Sequence, residues 1–335
     1  MESLPASPVH SQVGHPAYFN VSEGVAEYCL SSQINEELTG PLRQVFRQLE
    51  DGTAFLAPRT RVSASSGTLD MMGAISDEWG FAATKSYCIA GGRMNFLLML
   101  FATGEAEPVA VMQAKKLGQV RTGAASGLAT DILSAGNAKV MGCIGTGYQA
   151  EAQVDAVVSV RPIERIMIHS RNPAHMRRFG KAVARRHCID VVELEKMSQE
   201  FAAADVVSCI TDSTTPVIDA GMLGESCHIN AVGGYRPDMV EVGVDVISSC
   251  ATVVADLKEQ AMKESGELIS AVASGKLDWG EVSEMKDIVA GRVLRRAGAS
   301  SNRTFFKSLG VAVEDLAVAK LAYDSALANG AGRSL

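Results

Sequence analysis

The sequence predicts an α/β protein, a doubly wound parallel sheet joined to a discontinuous α+β region, and three observations carry that prediction. From residue 120 onward, short β-branched runs alternate with helical stretches, the pattern of a parallel sheet with crossover helices. Within residues 140–151 one such run ends in Gly145-Thr146-Gly147, and a helical pattern begins at once. Before residue 120 the apolar period is mostly two, and a last apolar helix at 311–327 stands outside the alternation. Both chain ends are therefore assigned to one region.

Residues 1–18 carry prolines and histidines without an apolar period and read as a loose arm. The spacing of Leu42, Val45, Phe46 and Leu49 predicts a helix over 38–49, stopped at Asp51-Gly52. Stretches 59–63, 68–72, 82–89, 96–101 and 109–112 read as strands, the last two joined by a turn at Thr103-Gly104-Glu105. An Ala- and Leu-rich helix over 121–134, closed by Gly136-Asn137, opens the alternation. Strand 139–144, helix 148–159, strand 165–169, helix 173–187, strand 189–193 and a helix at 196–203 follow. Strands at 205–210, 226–232 and 253–255 precede helices at 258–272 and 281–290. The expected division is residues 1–119 with 306–335 in one domain and 120–305 in the other.

The glycine corner has a physical logic. Gly145 permits the sharp turn, and Gly147 lets backbone amides approach a pyrophosphate with no Cβ in the way. Ala150 stands where a third glycine packs the helix against the strand. Phosphate charge then sits at the positive end of the helix, against unpaired N–H groups. Thr146, Tyr148 and Gln149 complete the corner as cofactor-binding residues. The next strand ends in His169-Ser170-Arg171-Asn172 with no carboxylate to repel a 2′-phosphate. Ser170 can donate to such a phosphate and Arg171 can pair with it bidentately, with Arg177 and Arg178 nearby. That pattern favours NADPH over NADH; the alternative for Arg171 is a solvated strand end.

Composition excludes other classes. The 335 residues hold 31 Lys and Arg against 38 Asp and Glu, a formal charge of −7 with no basic block, which argues against nucleic-acid binding. No apolar run has the length of a membrane span. Seven scattered cysteines without a Cys-x-x-Cys pair read as reduced core thiols of a cytoplasmic protein. The six histidines show no metal-ligand spacing, and His169 and His228 read as packed side chains.

Four segments together resemble the ornithine cyclodeaminase/μ-crystallin family, over about residues 38–326. They are Arg121-Thr-Gly-Ala-Ala-Ser126, Gly145-Thr-Gly-Tyr-Gln-Ala150, Ile229-Asn-Ala-Val-Gly-Gly234 and Phe306-Lys-Ser-Leu-Gly-Val-Ala-Val-Glu-Asp315. The resemblance implies a homodimer, with a substrate and dimerisation domain built from both chain ends around a Rossmann domain, and an active site between them. It maps the three cations that hold an amino or imino acid onto Arg59, Lys85 and Arg121, with Arg61 a neighbouring candidate for the first. Several charge-assisted donors are what a small carboxylate needs in a dry cleft. Thr211, Val232, Gly233, Ser308 and Leu309 match segments flanking the nicotinamide. Glu314 and Asp315 match the family motif too, yet also fit a helix N-terminus that favours negative charge.

One departure narrows the activity. Ornithine cyclodeaminases carry an Asp after Val-Gly-Gly that binds the distal amine; here Tyr235 stands there, followed by Arg236-Pro237-Asp238. This resembles the ketimine-reductase branch, with alanine dehydrogenases close by. The implied reaction is reduction of a C=N bond beside a carboxylate, with Arg59 and Arg121 gripping the carboxylate and Lys85 near the nitrogen. A lysine between two arginines is expected to have a depressed pKa. The alternatives are reductive amination of a 2-oxo acid, ornithine cyclisation, and a non-catalytic NADPH- and ligand-binding protein. Pocket walls are expected around Met71, Met72, Tyr87, Arg93 and Tyr235.

Overall fold

The computed structural model describes residues 19–21 and 36–331; the arm expected over 1–18 lies outside the described residues. Two sheets organise the chain. The first runs β1-β6-β5-β4-β3-β2, from β1 (Phe19–Val21), β2 (Ala54–Ala64), β3 (Gly67–Ser76), β4 (Phe81–Ala90), β5 (Arg93–Ala102) and β6 (Glu107–Gln113). Strands β2 to β6 form an antiparallel meander, and β1 joins β6 in parallel. The period of two sends Met72, Lys85, Leu98 and Met112, side by side in register, to one buried face. Helix α1 (Glu36–Asp51) packs beside β2 at the edge of that sheet and buries Leu38, Leu42, Val45 and Phe46 in the same core. Gly52, at φ 73°, lets the chain leave the helix in the left-handed region.

The second sheet is wholly parallel, in the order β13-β12-β14-β11-β10-β7-β8-β9. Its strands are β7 (Val140–Ile144), β8 (Arg165–His169), β9 (Asp190–Glu193), β10 (Val206–Cys209), β11 (His228–Ala231), β12 (Thr252–Ala255), β13 (Val282–Glu284) and β14 (Thr304–Lys307). Counted in chain order from β7, the first five strands run 3-2-1-4-5, the core of the dinucleotide-binding winding, and β14, the last strand of the chain, is inserted between β11 and β12. The order reverses between β7 and β10, which opens a crevice at the strand C-termini. Helix α2 (Lys115–Leu133) starts ahead of the expected position and places Arg121 in its second turn. It packs on α3 (Ala150–Val160) through small residues: a Cβ at Gly123 would lie 2.4 Å from the Ala152 carbonyl oxygen. That close approach brings Arg121 beside the glycine corner. Helix α4 (Pro173–His187) follows β8, capped by Asn172.

Three expected helices come out differently. The one at 196–203 is a short 3₁₀ turn, Gln199–Ala203. The one at 258–272 is split into α6 (Lys258–Glu264) and α7 (Gly266–Ala273), after α5 (Val244–Ser249). Ser265 is extended and caps α7, and a Cβ at Gly266 would lie 2.4 Å from the Met239 carbonyl oxygen, so the loop after β11 wedges into the break. The one at 281–290 begins as strand β13 before α8 (Met285–Val289), because Val282–Glu284 adds an edge to the sheet. Strand β14 reaches Lys307, beyond the expected boundary at 305, and stays in the parallel sheet. The chain then crosses at 308–311 to α9 (Ala312–Ala328), which packs on the antiparallel sheet and α1.

Candidate active site

The crossing segment 308–315 is where three distant cations meet. Arg59 leaves β2 beside a register shift between Ala57 and Thr60, Lys85 stands mid-strand on β4, and Arg121 projects from α2. Lys85 Nζ donates to both oxygens of Asp315, at 2.8 and 2.9 Å. Arg121 donates through Nε to Asp315 at 3.1 Å and through Nη1 to Glu314 at 3.0 Å. Arg59 Nη1 donates to Glu264 at 2.5 Å, and Nη2 to the Leu309 and Gly310 carbonyls at 2.8 and 3.1 Å. Asp256 holds the same segment from behind, accepting from the Leu309 and Gly310 amides at 2.6 and 2.7 Å. Gly310 has φ 77°, and a Cβ there would lie 2.3 Å from Arg121 Nη1, so no side chain is tolerated.

Burial dominates the electrostatics. Desolvation pushes the Lys85 ammonium down to about 8, with Arg121 and Arg59 acting the same way and Asp315 opposing them. Burial alone would raise Asp315, but Lys85 and Arg121 hold its carboxyl below the usual range. Glu314 is pushed up to about 8, first by burial and then by the neighbouring Asp256 and Asp315 carboxylates, against Arg121. Glu264 is also raised by burial, with Arg59 opposing. At neutral pH the cluster therefore holds Arg59, Lys85 and Arg121 beside the Asp315 carboxylate, with Glu314 largely protonated next to Arg121.

The cations open onto a cleft of about 1280 Å³ between the two sheets. Arg59, Lys85, Arg121 and every cofactor residue assigned from the sequence, from Gly145 to Leu309, line it. Gly145 takes φ 100°, and a Cβ there would lie 2.3 Å from the Ile210 carbonyl oxygen; a Cβ at Gly147 would meet open space. No side chain caps α3 behind this corner; the Gly145 amide donates to the His169 carbonyl at 2.9 Å and the Ala150 amide to the Gly147 carbonyl at 3.1 Å. Gln149 Oε1 and Ser308 Oγ are buried polar atoms on the lining without a partner. A glycine corner, an uncapped helix start and orphaned polar atoms fit a nicotinamide dinucleotide.

Some assignments need qualification. Asn172 lines the cleft, but its Oδ1 already caps α4 by accepting from Ala174 and His175. Arg171 pairs at 2.7 Å with Asp212, a carboxylate delivered by the end of β10. Arg177 and Arg178 lie outside the lining, as do Met71, Met72 and Arg93. Met72 is buried in the row with Lys85, Met71 is on the opposite face of the sheet, and Arg93 starts β5; Met94 and Phe96 form the wall with Tyr87 and Tyr235. Arg61 is spent on buried Asp70 at 2.7 Å, which leaves Arg59 as the cleft residue. Asp256 and Glu264 were not found from sequence, since a lone carboxylate, whether at the end of a strand or in a helix, gives no sign of a partner so far along the chain.

The family-level sequence model of the ornithine cyclodeaminase/mu-crystallin family matches residues 24–330. The chain belongs to this family. It is 35% identical over 247 residues to a Δ1-pyrroline-2-carboxylate reductase of Bacillus cereus, covering 72% of this chain and 74% of that protein. The Thermococcus litoralis Δ1-pyrroline-2-carboxylate reductase, solved with NADH and L-proline, superposes with a TM-score of 0.86 at 29% identity, over 95% of this chain and 100% of the other. An archaeal alanine dehydrogenase dimer with bound NAD gives a TM-score of 0.86 at 28% identity, over 95% and 98%. The expected Rossmann-type sheet joined to an antiparallel sheet is thus the fold of the protein and of its relatives.

Proposed function

We propose that this family member, an NAD(P)H-dependent oxidoreductase acting on C=N and CH–NH bonds, reduces small cyclic ketimine carboxylates. Δ1-Pyrroline-2-carboxylate and Δ1-piperideine-2-carboxylate are the substrates, proline and pipecolate the products. The observation that carries this reading is the meeting of Arg59, Lys85 and Arg121 on one segment beside the glycine corner. The named activities of the pyrroline-2-carboxylate reductases support it. Among the described residues, Asp212 is the one carboxylate on the cleft lining, and it sits with Arg171. With Tyr235 where a cyclodeaminase has Asp, nothing at that wall orients a distal ammonium, so ornithine cyclisation is disfavoured.

In this reading Arg59 and Arg121 grip the carboxylate and fix the ring, an orientation effect of several kcal/mol. Lys85 holds a proton for the imine nitrogen; a pKa of about 8 suits exchange near neutral pH. Asp315 keeps the ammonium aimed and balances its charge. A bound nicotinamide supplies the hydride equivalent. Tyr87, Met94 and Phe96 give an apolar wall for the ring carbons.

NADPH is the proposed cofactor, because Ser170 and Arg171 stand at the end of β8 without a strand-end carboxylate. The Arg171–Asp212 pair favours the second reading, NADH, which the NADH- and NAD-bound relatives also support. A homodimer is proposed through the outer face of the antiparallel sheet. There Phe55, Leu69, Met71 and Leu97 are 37–51% exposed, and the alanine dehydrogenase relative is a dimer. Scattered thiols support a cytoplasmic setting. The two-domain division at about residues 119 and 306 goes with this reading.

The test is NADPH oxidation with each cyclic ketimine, without and with added ammonia or methylamine. Turnover without amine is expected. Turnover only with a 2-oxo acid plus free amine would replace this reading with reductive amination.

A further inference from the structure

We infer that Glu241 is a positioning residue for the nicotinamide half of the cleft, an inference that rests on the proposed nucleotide site. Glu241 is fully buried in the loop after β11 and is not part of the cleft lining. Its two oxygens take four donors. Oε1 accepts from the Thr211 amide and, at 2.9 Å, from the Thr211 hydroxyl. Oε2 accepts from the Gly233 amide at 2.6 Å and the Gly234 amide at 3.1 Å. Thr211 follows β10 and Gly233 follows β11, so a single carboxylate ties the ends of two adjacent parallel strands.

The tie extends to a third strand. The Glu241 amide donates to Glu267 at 3.1 Å, and Glu267 pairs at 3.1 Å with Lys307, the last residue of β14. All three side chains are fully buried. Such ions seldom raise stability above that of an apolar replacement, because desolvation offsets their attraction. What they do supply here is fixed geometry at three neighbouring strand ends.

Trans peptide geometry turns that anchoring into a surface. With the Gly233 and Gly234 N–H groups aimed at Glu241, the Val232 and Gly233 carbonyls point away from it. Val232, Gly233 and Thr211 all line the cleft. A Cβ at Gly233 would lie 1.9 Å from the Thr211 carbonyl oxygen and 2.8 Å from Glu241, so the arrangement admits no side chain. Fixed carbonyls are the acceptors a ring carboxamide needs, and they require no polar side chain in the hydride path.

The test reads affinity rather than turnover. Kd is measured for NADPH and NADH, and for 2′-phospho-ADP-ribose and ADP-ribose, which lack the nicotinamide. E241Q turns an NH₂ toward backbone donors and is expected to weaken both full nucleotides about tenfold or more, with the fragments unchanged. T211V removes the hydroxyl that donates to Glu241, together with its longer 3.3 Å contact from the Ser213 amide, and is expected to give about a threefold loss with the same selectivity. Equal losses for nucleotide and fragment, or no loss for either, overturn the inference; T211V decides it if E241Q does not fold. A protein that shows the selective loss yet reduces no ketimine would contradict the substrate proposal and uphold the role of Glu241. A wild-type protein that binds neither nucleotide would overturn both.

Discussion

The two ends of the cleft hold ion pairs of nearly the same length in opposite surroundings. Lys85–Asp315 is 2.8 Å with side chains 3% and 1% exposed, while Arg171–Asp212 is 2.7 Å with side chains 83% and 80% exposed. Water and salt screen the second pair, and exposed pairs contribute about 0–1 kcal/mol. The first pair cannot separate without leaving a buried charge, which costs about 3–5 kcal/mol. Contact distance therefore says little about rigidity, and burial says most of it. The cation end is set before any ligand arrives, whereas Arg171 can leave Asp212 at little cost and take a phosphate.

This contrast can be broken or sharpened by experiment. The largest effect is expected for Lys85→Met, with kcat down about 10²- to 10⁴-fold and nucleotide affinity retained. Full activity in that variant would remove Lys85 from the chemistry. Asp315→Asn should destabilise the fold by about 3–5 kcal/mol in denaturant titration, since it strands Lys85 and Arg121. A cost no greater than that of Asp212→Asn would undo the burial contrast. The pH profile has a definite sign. Lys85 must carry its proton, so kcat/KM should fall as pH rises through about 8. Glu314 also gains its charge near 8, beside Arg121, and pushes the same way. A rate that climbed through that range would contradict Lys85 as the proton source. Arg171→Ala should raise KM about tenfold for NADPH and leave NADH unchanged. The smallest change is expected for Asp212→Ala, about a twofold gain in NADPH affinity.

Much of the fold is legible because its determinants are local. The period-two runs, the glycine corner and the strand–helix alternation gave both sheets. The break at Ser265 was hidden because the apolar period runs straight across it; the loop carrying Met239 makes the break, and that is a tertiary contact. Arg59, Lys85 and Arg121 were accessible through motifs that resemble a family, and period alone would have left Lys85 as an oddity in a buried row. Asp315 and Glu314, which pair Lys85 and Arg121, came with the same motif, but the partners of Arg59 and Arg171 were not accessible: Glu264 stands 205 residues from Arg59, and Asp212 stands 41 from Arg171. Met71 failed as a wall residue through strand parity, which sends it to the face away from Lys85, and Met72, on the Lys85 face, is buried in the apolar core and does not reach the cleft. Glu241 gives no sequence sign at all, because its four donors are backbone and hydroxyl groups of other strands.

The most direct check on the central claim is a structure of the protein with NADP⁺ and L-proline bound together. The carboxylate is expected between Arg59 and Arg121, with the ring nitrogen toward Lys85 and the ring carbons against Tyr87 and Phe96. A carboxylate held by Arg236 or Lys115, with Lys85 remote from the nitrogen, would contradict the account.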